Sequence, residues 1–144
     1  MEKSKLISLD HLRVLQISGK GAFDLLQGQI TCDIEKINFQ QSTLGALCNA
    51  KGRVISSFIV YLVKDDTYGL IMPKKTLEIT NNEFSKYTPF YDVVTEGNDS
   101  LLFNAMKKTD FLDQYAQDFT TRSNTIEING NKFINYLKKK YLLV

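Results

Sequence analysis

Ten residues, Val-Ile-Ser-Ser-Phe-Ile-Val-Tyr-Leu-Val at positions 54–63, constrain this chain more than any other stretch. The run is apolar except for two adjacent serines, and it is rich in β-branched and aromatic side chains. At this length and composition it reads as a strand. A tight polar corner, Asn49-Ala50-Lys51-Gly52-Arg53, precedes it, and residues 44–48 before the corner are again apolar. Residues 64–67 form a second turn and 68–72 a third strand. Strand, corner, strand, turn, strand is an antiparallel meander. The rest of the fold has to be arranged round that sheet.

Before the meander, strands are expected at 6–9 and 13–18. A helix is expected over 22–30, where Phe23, Leu25, Leu26 and Ile30 recur at helical spacing. Residues 31–34 continue or close it, and 38–41 are a polar connection. After the meander, Pro73 suits the first turn of a helix, where no amide donor is needed. Leu77, Ile79, Phe84 and Tyr87 supply that helix with an apolar side, and a strand follows at 90–94. Residues 96–100, polar with a glycine, are the best boundary. Beyond them we expect a strand at 101–106, a helix at 110–119 and strands at 125–128, 132–137 and 141–144. Asn129-Gly130 is a hairpin corner. The expected class is α+β: a largely antiparallel sheet with packed helices over 1–96, then the start of a second βαββ unit over 97–144. The last four residues, Tyr-Leu-Leu-Val, look like a strand just begun. Such a strand either pairs within the chain or belongs to something longer.

Composition excludes several functions. The chain has 144 residues, 24% of them charged, and a net charge of +2. That balance is too mild for a dedicated nucleic-acid binder, and no direct nucleic-acid binding is expected. The single basic run, at 138–140, reads as a solvated turn. No apolar stretch approaches the roughly 18 residues of a membrane span, and the N-terminus lacks the apolar region of a signal peptide. A cytoplasmic location is expected. Cys32 and Cys48 fit no metal-ligand spacing, and a reducing compartment argues against a disulfide between them.

Catalytic constellations are nearly absent from the sequence. The single histidine, His11, follows Asp10 at a turn and reads as solvent-exposed. Gly19-Lys20-Gly21 is only a fragment of a phosphate-loop pattern and reads as a helix start. Cys32 follows a helix without a nearby histidine, so a nucleophile role is not expected. Two stretches remain unusual. Gln27-Gly28-Gln29 places a glycine inside a helix, at a cost of about 1 kcal/mol against alanine. Either close packing or backbone approach to a ligand accounts for it. In the corner, Gly52 can supply positive φ. Lys51 and Arg53 are either a solvated tip or face an anionic ligand.

Taken together, Leu26-Gln27-Gly28-Gln29-Ile30-Thr31-Cys32-Asp33-Ile34 and Cys48-Asn49-Ala50-Lys51-Gly52-Arg53 resemble the YgfZ-like folate-binding proteins. These are relatives of the aminomethyltransferase, or T-protein, of the glycine cleavage system. Glu83-Phe84-Ser85-Lys86-Tyr87 before a strand is similar to a further family stretch. The resemblance is good over residues 6–96. It implies an aminomethyltransferase-like folate-binding domain and tetrahydrofolate or a derivative as cofactor. It assigns Asn49, Lys51, Gly52, Arg53 and Ser57 to the cofactor, with Gln27, Gly28, Gln29 and Asp33 as family-motif positions. In aminomethyltransferases the strand leaving this corner carries acidic residues, one of them catalytic; the matching positions here are Ser56 and Ser57. A hydroxyl cannot accept a proton as a carboxylate does at neutral pH, so aminomethyl transfer is expected to be lost. The serines themselves either make room in a packed sheet or contact ligand. The family's cysteine motif, which lies in the second half of its chains, is absent. The resemblance therefore implies an N-terminal portion of a non-catalytic protein serving iron–sulfur enzymes and tRNA modification. The rival expectation is an interaction module that self-associates or binds a partner through an exposed apolar face.

Overall fold

The computed structural model describes residues 6–99, 101, 103–107, 111, 125–128, 131–134 and 141–143. Two five-stranded sheets share the strands, and every strand pairing in them is antiparallel. The class is α+β. The first sheet contains β2 (Leu12–Ser18), β3 (Thr43–Cys48), β4 (Val54–Lys64), β5 (Thr67–Pro73) and β6 (Val94–Asn98), in the order β3-β4-β5-β2-β6. The second contains β1 (Leu6–Ser8), β7 (Asn104–Lys107), β8 (Thr125–Ile128), β9 (Asn131–Ile134) and β10 (Tyr141–Leu143), in the order β1-β7-β10-β9-β8.

Alternation along β4 explains the layering. Phe58 and Val60 face one way, with Leu15, Ile17, Leu70 and Met72 of the neighbouring strands. That face is covered by Leu25 and Leu26 of α1 (Ala22–Gln29) and by Phe84 of α2 (Lys74–Ser85). Ile59 and Tyr61 face the other way, with Val14 and Ile71, and meet Phe103, which precedes β7, and Ile134 of β9 in the second sheet. The first sheet is thus the middle layer, with a hydrophobic cluster against each of its faces.

Several expectations need correction. The strand expected at 90–94 is a 3-10 turn, Thr88–Phe90, with Pro89 in its first positions. Asp92 follows at φ 50°, and the strand begins only at Val94. Proline fixes its own φ and supplies no ladder donor, which keeps this stretch out of the sheet. The boundary stretch at 96–100 is strand as far as Asn98, since Gln16 pairs with Glu96 and Val14 with Asn98. Pro73 ends β5 and caps α2 rather than opening its first turn. On α2 the inward residues are Thr80 and Phe84, while Ile79 is half exposed. Ile79 is one position off the Leu77–Thr80–Phe84 stripe, about 100° round the helix. Residues 31–34 close α1: Ile30 is extended and bridges to Leu47. β9 ends at Ile134. Of the helix expected at 110–119, only Phe111 is described; it packs against Phe133 at 4.9 Å between ring centroids. The Asn129-Gly130 corner and the basic run at 138–140 lie outside the described residues.

Candidate functional site

The two sequence motifs meet at the outer edge of β3. Thr31 N donates to Ala46 O at 3.0 Å, and Ala46 N donates back to Thr31 Oγ1 at 3.0 Å. Ile30 bridges to Leu47. The stretch after α1 therefore adds itself to the open edge of the strand leading to the corner. Gln27 and Asp33 hold that arrangement. Gln27 Oε1 accepts from Ile34 N at 2.7 Å, and Asp33 Oδ1 accepts from Glu35 N at 3.1 Å, capping the short helix Ile34–Lys36. Gln27 Nε2 and Asp33 Oδ1 are 3.4 Å apart. Gln29 is half-buried at the end of α1. A Cβ on Gly28 would meet only the Tyr91 hydroxyl, at 3.8 Å, so close packing does not explain that glycine.

The corner is ordered by one side chain. Asn49 Oδ1 accepts from Lys51 N at 2.9 Å and from Arg53 N at 3.0 Å. Gly52 N donates to Asn49 O at 2.9 Å, and Gly52 sits at φ +79° with open space around it. A side-chain carbonyl that bonds the backbone two residues on is the ordinary use of Asn in turns. Lys51 and Arg53 are exposed on this fixed tip. Just beyond it the register between β3 and β4 slips: Leu47 pairs with Ser56, but Cys48 pairs with Val54. Such a bulge twists a strand and re-aims its side chains.

Ser56 and Ser57 part company here. Ser56 is 4% exposed on the helix-facing side, where its hydroxyl is hydrogen-bonded to Thr80 Oγ1 at 2.7 Å. Thr80 also bonds Thr76 O within α2. Ser57 is exposed on the opposite face. The β4–β5 ladder begins at Ile59↔Ile71, so Ser57 lies two residues outside it, on the same side of β4 as Ile59 and Tyr61.

A cavity of about 280 Å³ opens at Leu12, between the β1–β2 turn and the chain from β6 to β7. Its apolar wall includes Leu9, Leu12 and Phe103, and its polar wall includes Arg13, Asp99 and Asn104. Arg13 Nη1 donates to Asp10 O and Leu12 O. Its Nε lies 3.5 Å from Asp99 Oδ1, an ion-pair distance, and is buried without a hydrogen bond. His11 is exposed on the turn beside this cavity. Sequence reasoning missed Arg13 and the cavity, because they depend on β1 and β7 coming together across about a hundred residues.

The comparisons with known proteins fit this geometry. A family model described as the GCVT N-terminal domain matches residues 1–140. The chain belongs to the GCVT N-terminal domain family. Among curated relatives, the tRNA-modifying protein YgfZ of Vibrio atlanticus (strain LGP32) is 33% identical over 120 residues, 83% of this chain and 36% of that protein. The protein of the same name from Photobacterium profundum is 32% identical over 102 residues, 71% of this chain and 31% of that one. The chain spans about a third of the length of these relatives. Among solved structures, the glycine cleavage system aminomethyltransferase T from Bartonella henselae is similar with a TM-score of 0.64. It is 15% identical, and the match covers 70% of this chain and 28% of that one, which establishes a shared fold.

The remaining chemistry of the site is muted. Cys32 packs its sulfur 3.0 Å from where a Gly45 Cβ would stand. Burial pushes its thiol pKa up, a backbone hydrogen bond opposes this, and the Asp33 carboxylate raises it further. A thiol held protonated is a poor nucleophile. Among the described residues no cluster of His, Cys, Asp and Glu is arranged to hold a metal ion, and no helix is long and apolar enough to cross a membrane.

Proposed function

We propose that this chain is the folate-binding N-terminal portion of a non-catalytic, cytoplasmic YgfZ-like protein that supports tRNA modification and iron–sulfur enzymes. The observation that carries the reading is the division of labour between the two serines. Aminomethyltransferases resembling this chain carry acidic residues on the strand leaving the corner. Here Ser56 is buried and committed to Thr80, and only Ser57 is accessible. A serine hydroxyl there can donate or accept a hydrogen bond but holds no charge at neutral pH. The site keeps a place for a ligand and lacks the carboxylate that would act on it.

The residues present suit a folate. The cavity beside Leu12 and Phe103 offers an apolar wall to a flat ring, and the buried Arg13 Nε is a donor with no hydrogen bond. Lys51 and Arg53 stand on a rigid tip at the same end of the sheet, placed for the carboxylates of the folate's glutamate. A bound reduced folate supplies a carrier for one-carbon units. The protein's own contribution is to bind and orient it. Amide NMR shifts during titration with a reduced folate test the reading. Shifts centred on residues 49–57 and on Leu12 are expected. A spectrum unchanged at millimolar ligand counts against it. Methylene transfer to tetrahydrofolate by this protein would overturn the non-catalytic part.

A further inference from the structure

The strand order joins the second sheet to the first at one corner. Among the described strands the chain passes between the sheets twice, from β1 to β2 and from β6 to β7. The two crossings lie side by side, since Leu9 N donates to Phe103 O at 2.9 Å. The cavity at Leu12 sits in this corner, walled by Ser8 of β1 and Asn104 of β7 and by Leu12 and Arg13 of β2. A separate set of contacts closes the far side. Thr125 N of β8 donates to Gln40 O at 3.1 Å, and the buried hydroxyls of Thr125 and Ser42 are hydrogen-bonded at 2.6 Å. Lys132 Nζ of β9 donates to Leu62 O at 2.7 Å and stands over the Tyr61 ring. The ladders place these contacts away from the corner. Thr43, next to Ser42, pairs with Val60, Val60 with Leu70 and Leu70 with Leu15, so it lies three strands from β2, roughly 14 Å. Leu62 pairs with Tyr68 and Tyr68 with Ile17, which is five residues along β2 from Leu12, roughly 17 Å.

We infer that the second sheet is a hinged cover: it swings about the paired crossings at 9–11 and 99–103, and the Ser42–Thr125 and Lys132–Leu62 contacts latch it shut. Between hinge and latch the sheets share one small apolar cluster, in which Val14, Ile59, Tyr61 and Ile71 meet Phe103 and Ile134. Phe103 belongs to a crossing, so among the described buried residues Ile134 is what the strands of the second sheet supply to that cluster. The ladders run within each sheet, so a swing breaks the latch and opens the cluster while leaving both sheets intact. Opening of one such unit costs less than global unfolding. The walls of the cavity come from both sides of the hinge. The latch therefore sets how open the cavity is and how accessible Arg13 is, although no latch residue lines it.

Hydrogen exchange of the full chain, followed amide by amide by NMR, tests the hinge in Ser42→Ala and in Lys132→Met. Each substitution removes one latch contact and keeps most of the side chain. Each variant is expected to speed exchange of the Thr125 amide about three- to tenfold, the contribution of one hydrogen bond, while the ladder amides of β8–β9 and β4–β5 keep their rates. Modification of Arg13 by phenylglyoxal, read by peptide mass, should quicken by a similar factor in both variants, with the exposed Arg53 unchanged as a control. The unsubstituted chain supplies a check that needs no variant: its Thr125 amide should exchange faster than the Leu9 amide at the hinge. The reverse order overturns the inference. If the Thr125 amide and the β8–β9 ladder amides quicken together, β8 frays and the sheet does not swing. If every amide of both sheets quickens by one factor, the sheets part only on global unfolding. An unchanged Arg13 rate uncouples the latch from the cavity, and any of these three results also overturns the inference.

Discussion

A serine and its neighbour differ here by the face they occupy, and that difference can be measured. An aspartate at position 56 would bury a carboxylate whose one nearby donor, Thr80 Oγ1, already serves Thr76 O. Ser56→Asp is expected to destabilise the fold by about 3 kcal/mol or more. Ser57→Asp, on the exposed face, should change stability by less than about 1 kcal/mol. Urea unfolding of the two variants checks this, and equal effects would mean the faces are misassigned. A second contrast separates two glycines. A Cβ on Gly21 would fall 1.4 Å from Tyr91 O, a backbone atom that cannot yield without moving the whole 88–93 segment. Gly21→Ala should therefore unfold or severely destabilise the protein. Gly28 has no such neighbour, so Gly28→Ala should be neutral or stabilising by up to about 1 kcal/mol. Thermal melts of both variants decide the matter. If Gly28→Ala keeps stability but weakens folate binding, the helix glycine serves the ligand.

Among the elements, the meander was readable because its signals are local. β3, β4 and β5 appear as apolar runs separated by turn residues, and their positions differ from the expected ones by a residue or so at most. The 88–93 segment was not readable, because its path is set by Gly19 and Gly21 far earlier in the chain and by a positive φ at Asp92. Gln27 and Asp33 show a different limit. The sequence marks them only as motif positions without a role, and their hydrogen bonds tie α1 to the following short helix. The corner itself makes a prediction at this scale. Asn49→Ala removes the acceptor for two backbone amides, which water then has to satisfy. A loss of about 1–2 kcal/mol is expected. Because Lys51 and Arg53 then move freely, folate affinity should fall more than stability does. Parallel denaturation and ligand titration would show this. A variant that loses stability but binds normally would remove the corner from the site.

For the molecule as a whole, the junction between the sheets sets the response to alkali. Tyr61 of β4 lies over Gly69 of β5, where a Cβ would meet its ring at 2.4 Å, and it is 6% exposed. Lys132 reaches across from β9 in the second sheet. Its Nζ stands 5.0 Å from the Tyr61 ring centroid and donates to Leu62 O at 2.7 Å. Burial pushes the Tyr61 hydroxyl from 10.0 up to about 12, so the folded protein holds that proton more tightly than the unfolded chain. This contribution to stability is complete below pH 10 and is lost as the pH rises toward 12. Two units correspond to about 3 kcal/mol. Burial acts on Lys132 in the opposite sense, lowering its pKa below 10.5 against a smaller opposing pull from Glu127. The folded state prefers that amine neutral, so stability rises with pH through the interval ending at 10.5. The combined curve should be level or rise slightly toward about pH 10 and then fall steeply. Tyr61→Phe keeps the ring under Lys132 and removes the ionisable group. That variant should retain most of its stability between pH 10 and 12, with a residual loss from Tyr68, whose pKa is also raised by burial and by Asp66. Equilibrium unfolding at about pH 9, 10, 11 and 12 compares the two proteins directly. If their curves run parallel across that range, Tyr61 titrates as a solvated phenol and the two sheets do not meet there as described.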